Sequence, residues 1–282
     1  MKKNYDTQIA EHYRGVAETE GLSPTSTMAD EITRGKETDA ILRFIAAAMK
    51  KLSLDNSRPL SIMDIGCGNG YTLEVLANHY PGAILVGVEK SDKLRELALS
   101  RFQNNDKVFI LEGDIRDENF ARDFTADILV CQRVLINLLE IGDQKLALNN
   151  IVNAVKSSET ARGSLLFIEC FASALANLNE ARSEFDLAPM NEAHHNLYLP
   201  DDFFNSAALI PFDPSAGIPP ANFLSTHYFV TRVLHPFFIA NKPFKRNSEF
   251  VRFFTHALKE NIGDYSPLKF MAFEKVREAG NG

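Results

Sequence analysis

The sequence predicts an α/β fold in which a seven-stranded, mostly parallel sheet carries helices on both faces. Two observations predict this class. Between Pro59 and Cys170, short apolar runs alternate with helical patterns, as they do in successive right-handed βαβ units. These runs are continuously apolar, which is typical of strands buried on both faces of a parallel sheet.

The N-terminal part of the chain, residues 1–57, is polar and helical in pattern. Apolar side chains recur at helical spacing over residues 38–52, which predicts an amphipathic helix. Asp30, or a neighbouring Ser or Thr, is placed to cap a helix that begins after the preceding loop. We interpret this segment as an N-terminal helical lid; the alternative is a helix that only packs on the sheet. Its candidate ligand contacts are Tyr13, Met28, Arg34 and Glu37.

The predicted core elements follow in regular order along the chain. The first five predicted strands are residues 60–65, 84–88, 108–111, 128–131 and 164–170. The predicted helices between them are residues 71–79, 91–102 with Ser91 as cap, and 143–155. Each helix that follows a strand returns the chain to the same edge of the sheet, so the strand ends should lie side by side.

After Cys170 the pattern loosens. Residues 222–230 are rich in aromatic and β-branched side chains, which predicts a strand, and residues 268–276 alternate, which predicts a final antiparallel strand. The other predicted elements are helices over 172–187, 200–208 and 246–260 and a proline-rich loop over 211–220. We therefore predict one domain over 58–282, with an insertion at about 172–265 that caps the substrate.

The composition favours a small-molecule partner. The chain has 282 residues, 45% of them hydrophobic and 24% charged, which is ordinary for a soluble globular protein. Its net charge of −7 disfavours a protein that binds nucleic acid, because phosphate backbones require a basic surface. No apolar run reaches the length of a membrane span and the N-terminus is polar, so no membrane contact and a cytoplasmic location are expected. A homo-oligomer is left open.

Three cysteines, Cys67, Cys131 and Cys170, stand far apart and form no CxxC pair. All three lie in apolar runs at predicted strand ends. We expect them to be buried, reduced thiols.

The strongest local motif is M-D-I-G-C-G-N-G over residues 63–70, directly after the first predicted strand and before a helix. Glycines allow a tight turn and a close approach to a ligand, and the helix N-terminus offers free N–H groups. A dinucleotide fingerprint would need Gly or Ala at position 71, which is Tyr71. This departure disfavours a dinucleotide-dependent oxidoreductase. The spacing is instead G-x-G-x-G, with Asp64 two residues before the first glycine.

This segment resembles motif I of the class I (Rossmann-like) S-adenosylmethionine-dependent methyltransferases. The resemblance continues in order through Glu89 at the end of the second strand, Gly113-Asp114-Ile115 after the third, and residues 127–131 in the fourth. Blocks over 26–37, 132–137, 169–179 and 194–198 are also similar to a poorly characterised group of bacterial methyltransferases. The resemblance implies S-adenosylmethionine as cofactor and S-adenosylhomocysteine as product.

The same resemblance assigns roles to individual residues. Asp64 would help to hold the methionine end of the cofactor, Glu89 would accept the ribose hydroxyls, and Asp114 and Ile115 would face the adenine. The full set of candidate cofactor-binding residues is Asp64, Gly66, Cys67, Gly68, Asn69, Gly70, Glu89, Lys90, Asp114, Ile115, Gln132 and Arg133. A cofactor-binding protein without catalysis remains an alternative, because these residues bear on binding alone.

Methyl transfer needs few catalytic groups, because the methyl group on a sulfonium is already activated. The acceptor must lie in line with the carbon–sulfur bond, and a base is needed only if the acceptor loses a proton. The catalytic candidates are His195, His194 and Glu169, and the candidates for binding a small polar acceptor are Arg34, Asn137, Asn196 and Tyr198. O- and N-methylation both remain open. No metal is expected, because adjacent histidines rarely chelate one ion.

Overall fold

The computed structural model describes residues 5–52, 58–122, 124–156, 162–205, 208–239 and 242–276. Within these ranges seven strands form one sheet: β1 (Ser61–Ile65), β2 (Ile84–Glu89), β3 (Val108–Glu112), β4 (Ile128–Gln132), β5 (Ser164–Cys170), β6 (Leu209–Pro211) and β7 (Leu268–Lys275). Their order across the sheet is β3-β2-β1-β4-β5-β7-β6. The first five strands are parallel, and β7 runs antiparallel to β5 and β6. The predicted fold class is confirmed.

Helices connect and cover these strands. They are α1 (Asp6–Glu20), α2 (Glu31–Leu52), α3 (Tyr71–His79), α4 (Asp92–Arg101), α5 (Ile141–Asn153), α6 (Ala172–Ser183), α7 (Ser225–Phe229), α8 (His235–Ile239) and α9 (Glu249–Ala257). A short 3-10 helix, Leu135–Asn137, follows β4. No helix in the described ranges combines the length and apolar character that a membrane span requires.

The strand register brings the ligand-facing ends of the sheet together. Ile65 at the end of β1 pairs with Val88 of β2 on one side and Cys131 of β4 on the other. The strand order therefore reverses between β1 and β4: β2 and β3 follow on one side of this pair, and β5 follows on the other. In open α/β sheets such a switch point creates a crevice at the carboxyl ends of the strands, which is where ligands bind.

The N-terminal helix α2 is part of the hydrophobic core. It packs against β4 and β5, and its side chains Ile41, Phe44 and Ile45 are almost completely buried. The Phe44 ring also contacts Phe270 of β7, with ring centroids 6.3 Å apart. Each such burial is worth about 1.5–3 kcal/mol, so α2 is firmly anchored. The predicted division into a lid at 1–57 and a domain at 58–282 stays a prediction.

The predicted strand at 222–230 is wrong. Residues 225–229 form helix α7, which continues through a π-helical turn, Val230–Leu234, into α8. A short apolar run with aromatic and β-branched residues fits a buried helix as well as a buried strand, and periodicity alone does not separate them. The sixth strand is instead the three-residue β6, which ends at Pro211 at the edge of the sheet, where proline is tolerated.

Other predicted boundaries shift. The helix expected at 38–52 begins at Glu31, because the Asp30 carboxylate accepts the backbone N–H groups of Ile32 and Thr33. Residues 201–204 form turns rather than the helix predicted over 200–208, of which 206–207 lie outside the described residues. The remaining helices are confirmed, with ends that move by a few residues. Ser91 precedes α4 as expected, but its side chain makes no capping bond. Cys67, Cys131 and Cys170 are buried free thiols, as predicted.

Candidate functional site

A cavity of about 950 Å³ lies at the carboxyl ends of the parallel strands, beneath α1. Its volume is at the upper end of the range, ~300–1,000 Å³, that is usual for small-molecule sites. Sequence-predicted residues on its wall are Gly66, Gly68, Glu89, Lys90, Asp114, Ile115, Gln132, Arg133, Asn137, His195, Asn196 and Tyr198. The cavity therefore brings together predicted cofactor residues and predicted acceptor residues.

The turn between β1 and α3 forms one wall of this cavity. Gly66, Gly68 and Gly70 all have positive φ angles, a region that side chains other than glycine rarely adopt. A Cβ atom at Gly66 would also lie 2.4 Å from Cγ2 of Val134. Gly70 lies against Ala98 of α4 and Phe102, and it does not line the cavity. The Asn69 amide donates to the carbonyls of residues 21 and 23, so it ties the loop after α1 to the turn.

Glu89 connects the ends of β1 and β2. It is almost fully buried; one carboxylate oxygen accepts the Gly68 N–H at 2.8 Å and the other accepts the Ser91 N–H at 2.7 Å. Burial raises the pKa of Glu89, although these N–H donors oppose the shift. A carboxylate has about four acceptor positions. Glu89 therefore keeps acceptor capacity for a ligand while it shapes the glycine turn.

A network of ion pairs holds α1 over the cavity. The Arg116 guanidinium donates to Asp6 of α1 at 2.9 Å and to Asp114 at 2.6 Å, and Lys90 lies 3.0 Å from both carboxylates. Burial would raise the pKa of Asp114, but the Arg116 and Lys90 contacts prevail and lower it. Asp143 of α5 also contacts Arg116, at 3.3 Å. Because Asp6 is buried, this network is the main polar attachment of the start of α1.

Replacing Arg116 by alanine should loosen α1. Asp6 and Asp114 would lose their shared guanidinium and keep only the half-exposed Lys90 as a cationic partner among the contacts described above, which weakens the attachment of α1. We expect amide hydrogens of α1 to exchange about tenfold faster or more, which corresponds to about 1.4 kcal/mol of local opening. Hydrogen exchange with mass spectrometry measures this. The control is Lys93→Ala, which removes an exposed pair with Glu96 on α4; equal exchange in both variants would contradict the attachment.

Asp64 and Arg34 meet in a small cleft of about 20 Å³ beside the main cavity. The two spaces share Gly66, Gly68, Gln132 and Arg133 as wall residues. Burial raises the pKa of Asp64 to about 7, although Arg34 opposes the shift. Burial lowers the pKa of Arg34 to about 10. The structure thus places Arg34, which was predicted for the acceptor, next to Asp64, together with Cys67 and Asn69.

Arg133 is held by a residue of α2. Its guanidinium forms a hydrogen-bonded ion pair with the fully buried Glu37, and its backbone has a positive φ of 55°. For a non-glycine residue this conformation is unfavourable and must be maintained by its surroundings. The pair joins α2 to the end of β4.

Part of the cavity lining is polar. The Asn137 amide donates to the Tyr13 hydroxyl at 2.8 Å, while its Oδ1 is buried and has no hydrogen-bond partner in the described ranges. Asn196 likewise has a buried Oδ1 without a partner there. Buried acceptors without donors cost free energy, and a ligand that supplies donors would recover it.

Glu169 is not among the residues that line the cavity. It is completely buried, and its carboxylate accepts the backbone N–H groups of Val134 at 2.9 Å, Leu135 at 3.0 Å and Ile136 at 3.4 Å. Burial raises its pKa to about 7, against the effect of these donors. Glu169 thereby holds the segment that leads to Asn137. Its catalytic role stays a prediction, and its contacts favour a positioning role.

The two predicted histidines differ in placement. His195 lines the cavity, whereas His194 is exposed and does not. His12 of α1, which the sequence did not single out, stacks on His195 with ring centroids 3.8 Å apart. Sequence reasoning also missed Asp6. The sequence did offer a signal for Arg116, because this residue follows Asp114 by two positions after the end of β3. It offered no such signal for His12.

Comparison with known proteins identifies the central part of the chain. Residues 62–158 match the family model of a methyltransferase domain. Over 68 residues the chain is 31% identical to the malonyl-[acyl-carrier protein] O-methyltransferase of Priestia megaterium. That stretch is 24% of either protein, so the chain matches about a quarter of this relative's length.

Solved structures share the fold over nearly the whole chain. The magnesium protoporphyrin IX methyltransferase of Synechocystis, solved with bound S-adenosylhomocysteine, has a TM-score of 0.54 at 11% identity and covers 97% of this chain and 96% of its own. The N-methyltransferase NodS of Bradyrhizobium japonicum, in complex with S-adenosylhomocysteine, has a TM-score of 0.53 at 13% identity and covers 95% and 99%. The chain thus contains a region, residues 62–158, that matches a methyltransferase domain, and it shares the Rossmann-like fold of these solved methyltransferases.

Proposed function

We propose that the chain transfers a methyl group from S-adenosylmethionine to an oxygen or nitrogen atom of a small polar acceptor and releases S-adenosylhomocysteine. One observation carries the proposal. A single cavity is lined by Gly68, Glu89 and Ile115, which the resemblance assigns to the cofactor, and by the polar side chains of Asn137 and His195. Its volume is sufficient for a nucleoside cofactor beside a small acceptor.

The cofactor half of the proposal rests on charge and shape. Glu89 offers acceptors to the ribose hydroxyls, and the turn at Gly66 and Gly68 leaves room for a close backbone approach. The small cleft places a carboxylate, Asp64, near a guanidinium, Arg34. These opposite charges suit the ammonium and carboxylate groups of the methionine moiety. We therefore reassign Arg34 from the acceptor to the cofactor.

Methyl transfer requires an aligned acceptor and a cavity without water more than it requires acid–base catalysis. The acceptor atom must lie about 3 Å from the methyl carbon, opposite the sulfur. The acceptor-side candidates are Asn137, Asn196, Tyr198 and His195, which all line the cavity. Helix α1 lies above them, and its attachment through Asp6 would keep water out of the cavity. The buried Oδ1 atoms of Asn137 and Asn196 favour an acceptor that carries hydroxyl or amino hydrogens.

The cofactor affinity should rise with pH through the titration of Asp64. Its pKa is raised to about 7, so below pH 7 the carboxyl is largely protonated, whereas an ammonium group favours the ionised form. Binding below pH 7 then requires proton release. We expect the affinity for S-adenosylhomocysteine to increase by up to about tenfold per pH unit below pH 7 and to level off above it. Calorimetry between pH 6 and 8 measures this. Asp64→Asn should bind more weakly with a flatter profile; an unchanged slope would contradict the assignment.

The overall proposal is tested by binding and by turnover. Calorimetry should show that purified protein binds S-adenosylhomocysteine and not NAD. Transfer of radioactive methyl groups from S-adenosylmethionine to a panel of small alcohols and amines then tests catalysis. Binding without transfer to any acceptor would favour the non-catalytic alternative. Binding of NAD alone would favour an oxidoreductase, and binding of neither would overturn the proposal.

A further inference from the structure

Three histidines from two distant parts of the chain meet at the edge of the cavity. His12 lies on α1, and His194 and His195 lie in the loop after α6. One ring nitrogen of each lies within 4.8 Å of the others. The segments are already in contact, because the Gln8 amide donates to the His194 carbonyl at 2.6 Å. The sequence predicts no metal here, because adjacent histidines rarely chelate one ion; the structure adds a third histidine from α1, which the spacing along the chain could not reveal.

The cluster contains a nitrogen that lacks a partner. His195 Nδ1 is buried and forms no hydrogen bond within the described ranges. A buried polar atom without a partner costs about 1–3 kcal/mol. The His12 ring is stacked on His195, and the His194 ring meets His195 edge-on with centroids 5.0 Å apart. The arrangement therefore brings ring nitrogens close together and leaves one of them without a hydrogen-bond partner in the described ranges.

Two of the rings lie where protonation is disfavoured. Burial, reinforced by His12 and His194, lowers the pKa of His195 to about 4, and burial lowers the pKa of His12 as well. A neutral imidazole is a common ligand of transition-metal ions, whereas an imidazole with a pKa near 4 is a weak general base.

We propose that His12, His194 and His195 bind one divalent transition-metal ion of the zinc type at the acceptor side of the cavity. Three histidines with an open fourth position form the usual ligand set of a catalytic zinc site. His12 and His195 both line the cavity, so the open position faces the space proposed for the acceptor. The identity of that acceptor rests on the proposed function, whereas the proposed metal binding does not depend on it.

Small movements would complete the site. Tetrahedral coordination with metal–nitrogen bonds of about 2.0–2.1 Å places ligand nitrogens about 3.3–3.4 Å apart. The observed nitrogens lie within 4.8 Å of one another, so they would have to approach by up to about 1.5 Å, and His12 would have to rotate out of its stack on His195. The ion would link α1 to the loop and thereby hold the lid closed.

The ion also indicates a class of acceptor. A divalent ion lowers the pKa of a hydroxyl group that it binds. The acceptor would then be a hydroxylated molecule: its proton passes to water, its oxygen forms a bond to the methyl carbon, and the carbon–sulfur bond of the sulfonium donor breaks to give the thioether. O-methylation therefore follows without a histidine base.

Metal titration of the chelator-treated protein tests the inference. We expect one Co²⁺ or Zn²⁺ ion per chain by calorimetry, and tetrahedral Co²⁺ absorption in the visible range. His194→Ala and His12→Ala should each lower the affinity at least about tenfold. The matched control is His256→Ala, an exposed histidine on α9 that should leave binding unchanged. Because His194 is itself exposed, its variant should fold normally, and circular dichroism verifies this.

The outcomes separate this inference from the proposed function. S-adenosylhomocysteine binding is measured on the same samples without metal. If the cofactor product binds but no metal does, or if His256→Ala weakens metal binding as much as His194→Ala, the metal site is overturned and the methyltransferase proposal stands. If metal binds with the expected loss in the variants but the cofactor product does not bind, the metal site stands and the acceptor class falls.

Discussion

Glu89→Ala should lower the affinity for S-adenosylhomocysteine by roughly 100-fold or more. Hydrogen bonds to charged groups are worth about 1.5–3 kcal/mol each, and the variant would lose two of them to the ribose hydroxyls. It would also release the Gly68 N–H, which Glu89 holds at 2.8 Å, and so loosen the turn on which the cofactor rests. Calorimetry of the purified variant measures the loss.

Two further variants make this result specific. Glu89→Gln keeps one acceptor oxygen but no charge, so its affinity should lie between those of the alanine variant and the natural protein. Glu112→Ala removes the neighbouring acid at the end of β3, which pairs in register with Glu89 but is exposed. It should bind normally. Unchanged affinity in folded Glu89→Ala would refute the ribose assignment.

Glu169→Ala should cause the largest loss of stability. Its carboxylate is the partner of three buried backbone N–H groups at Val134, Leu135 and Ile136. Each unsatisfied N–H costs about 1–3 kcal/mol, so we expect the free energy of unfolding to fall by about 3–9 kcal/mol. Thermal and urea denaturation measure this. A loss below about 1 kcal/mol would mean that the segment is held by other contacts.

Glu169→Gln provides the matched control and a pH signature. The amide retains an oxygen for Val134 and Leu135, so its loss should be smaller. The pKa of Glu169 is raised from 4.5 to about 7 in the folded state, so the folded protein holds the proton more tightly. Stability of the natural protein relative to Glu169→Gln should therefore fall as pH rises from about 4.5 to 7. A difference that does not change with pH would contradict the raised pKa.

The sheet could be predicted because its signals are local. Strands β1 to β5 are continuous apolar runs, and each follows or precedes a turn or helix with its own sequence pattern. The carboxyl-end location of Gly68, Glu89 and Ile115 then follows from the right-handed βαβ rule. The later elements were harder. Residues 223–227 and 230 are buried, so their pattern lacks the periodicity that separates a helix from a strand.

The residues of the candidate site also divide into those that could be predicted from the sequence and those that could not. Residues of the glycine turn and Glu89 could be found because motif and strand end coincide in sequence. The positions of Arg34, Glu169 and His12 could not, because each depends on a partner far along the chain. Arg34 lies beside Asp64, Glu169 holds the segment after β4, and His12 meets the loop after α6.

By itself the sequence determined the fold class and the strand that carries the glycine turn. These depend on residue type and spacing over short stretches, where backbone preferences and burial act locally. Only the tertiary structure decided which charges are paired, which polar atoms are left without partners, and which side chains α1 brings to the cavity. Those properties depend on distances and burial between separate segments, and spacing along a chain does not encode them.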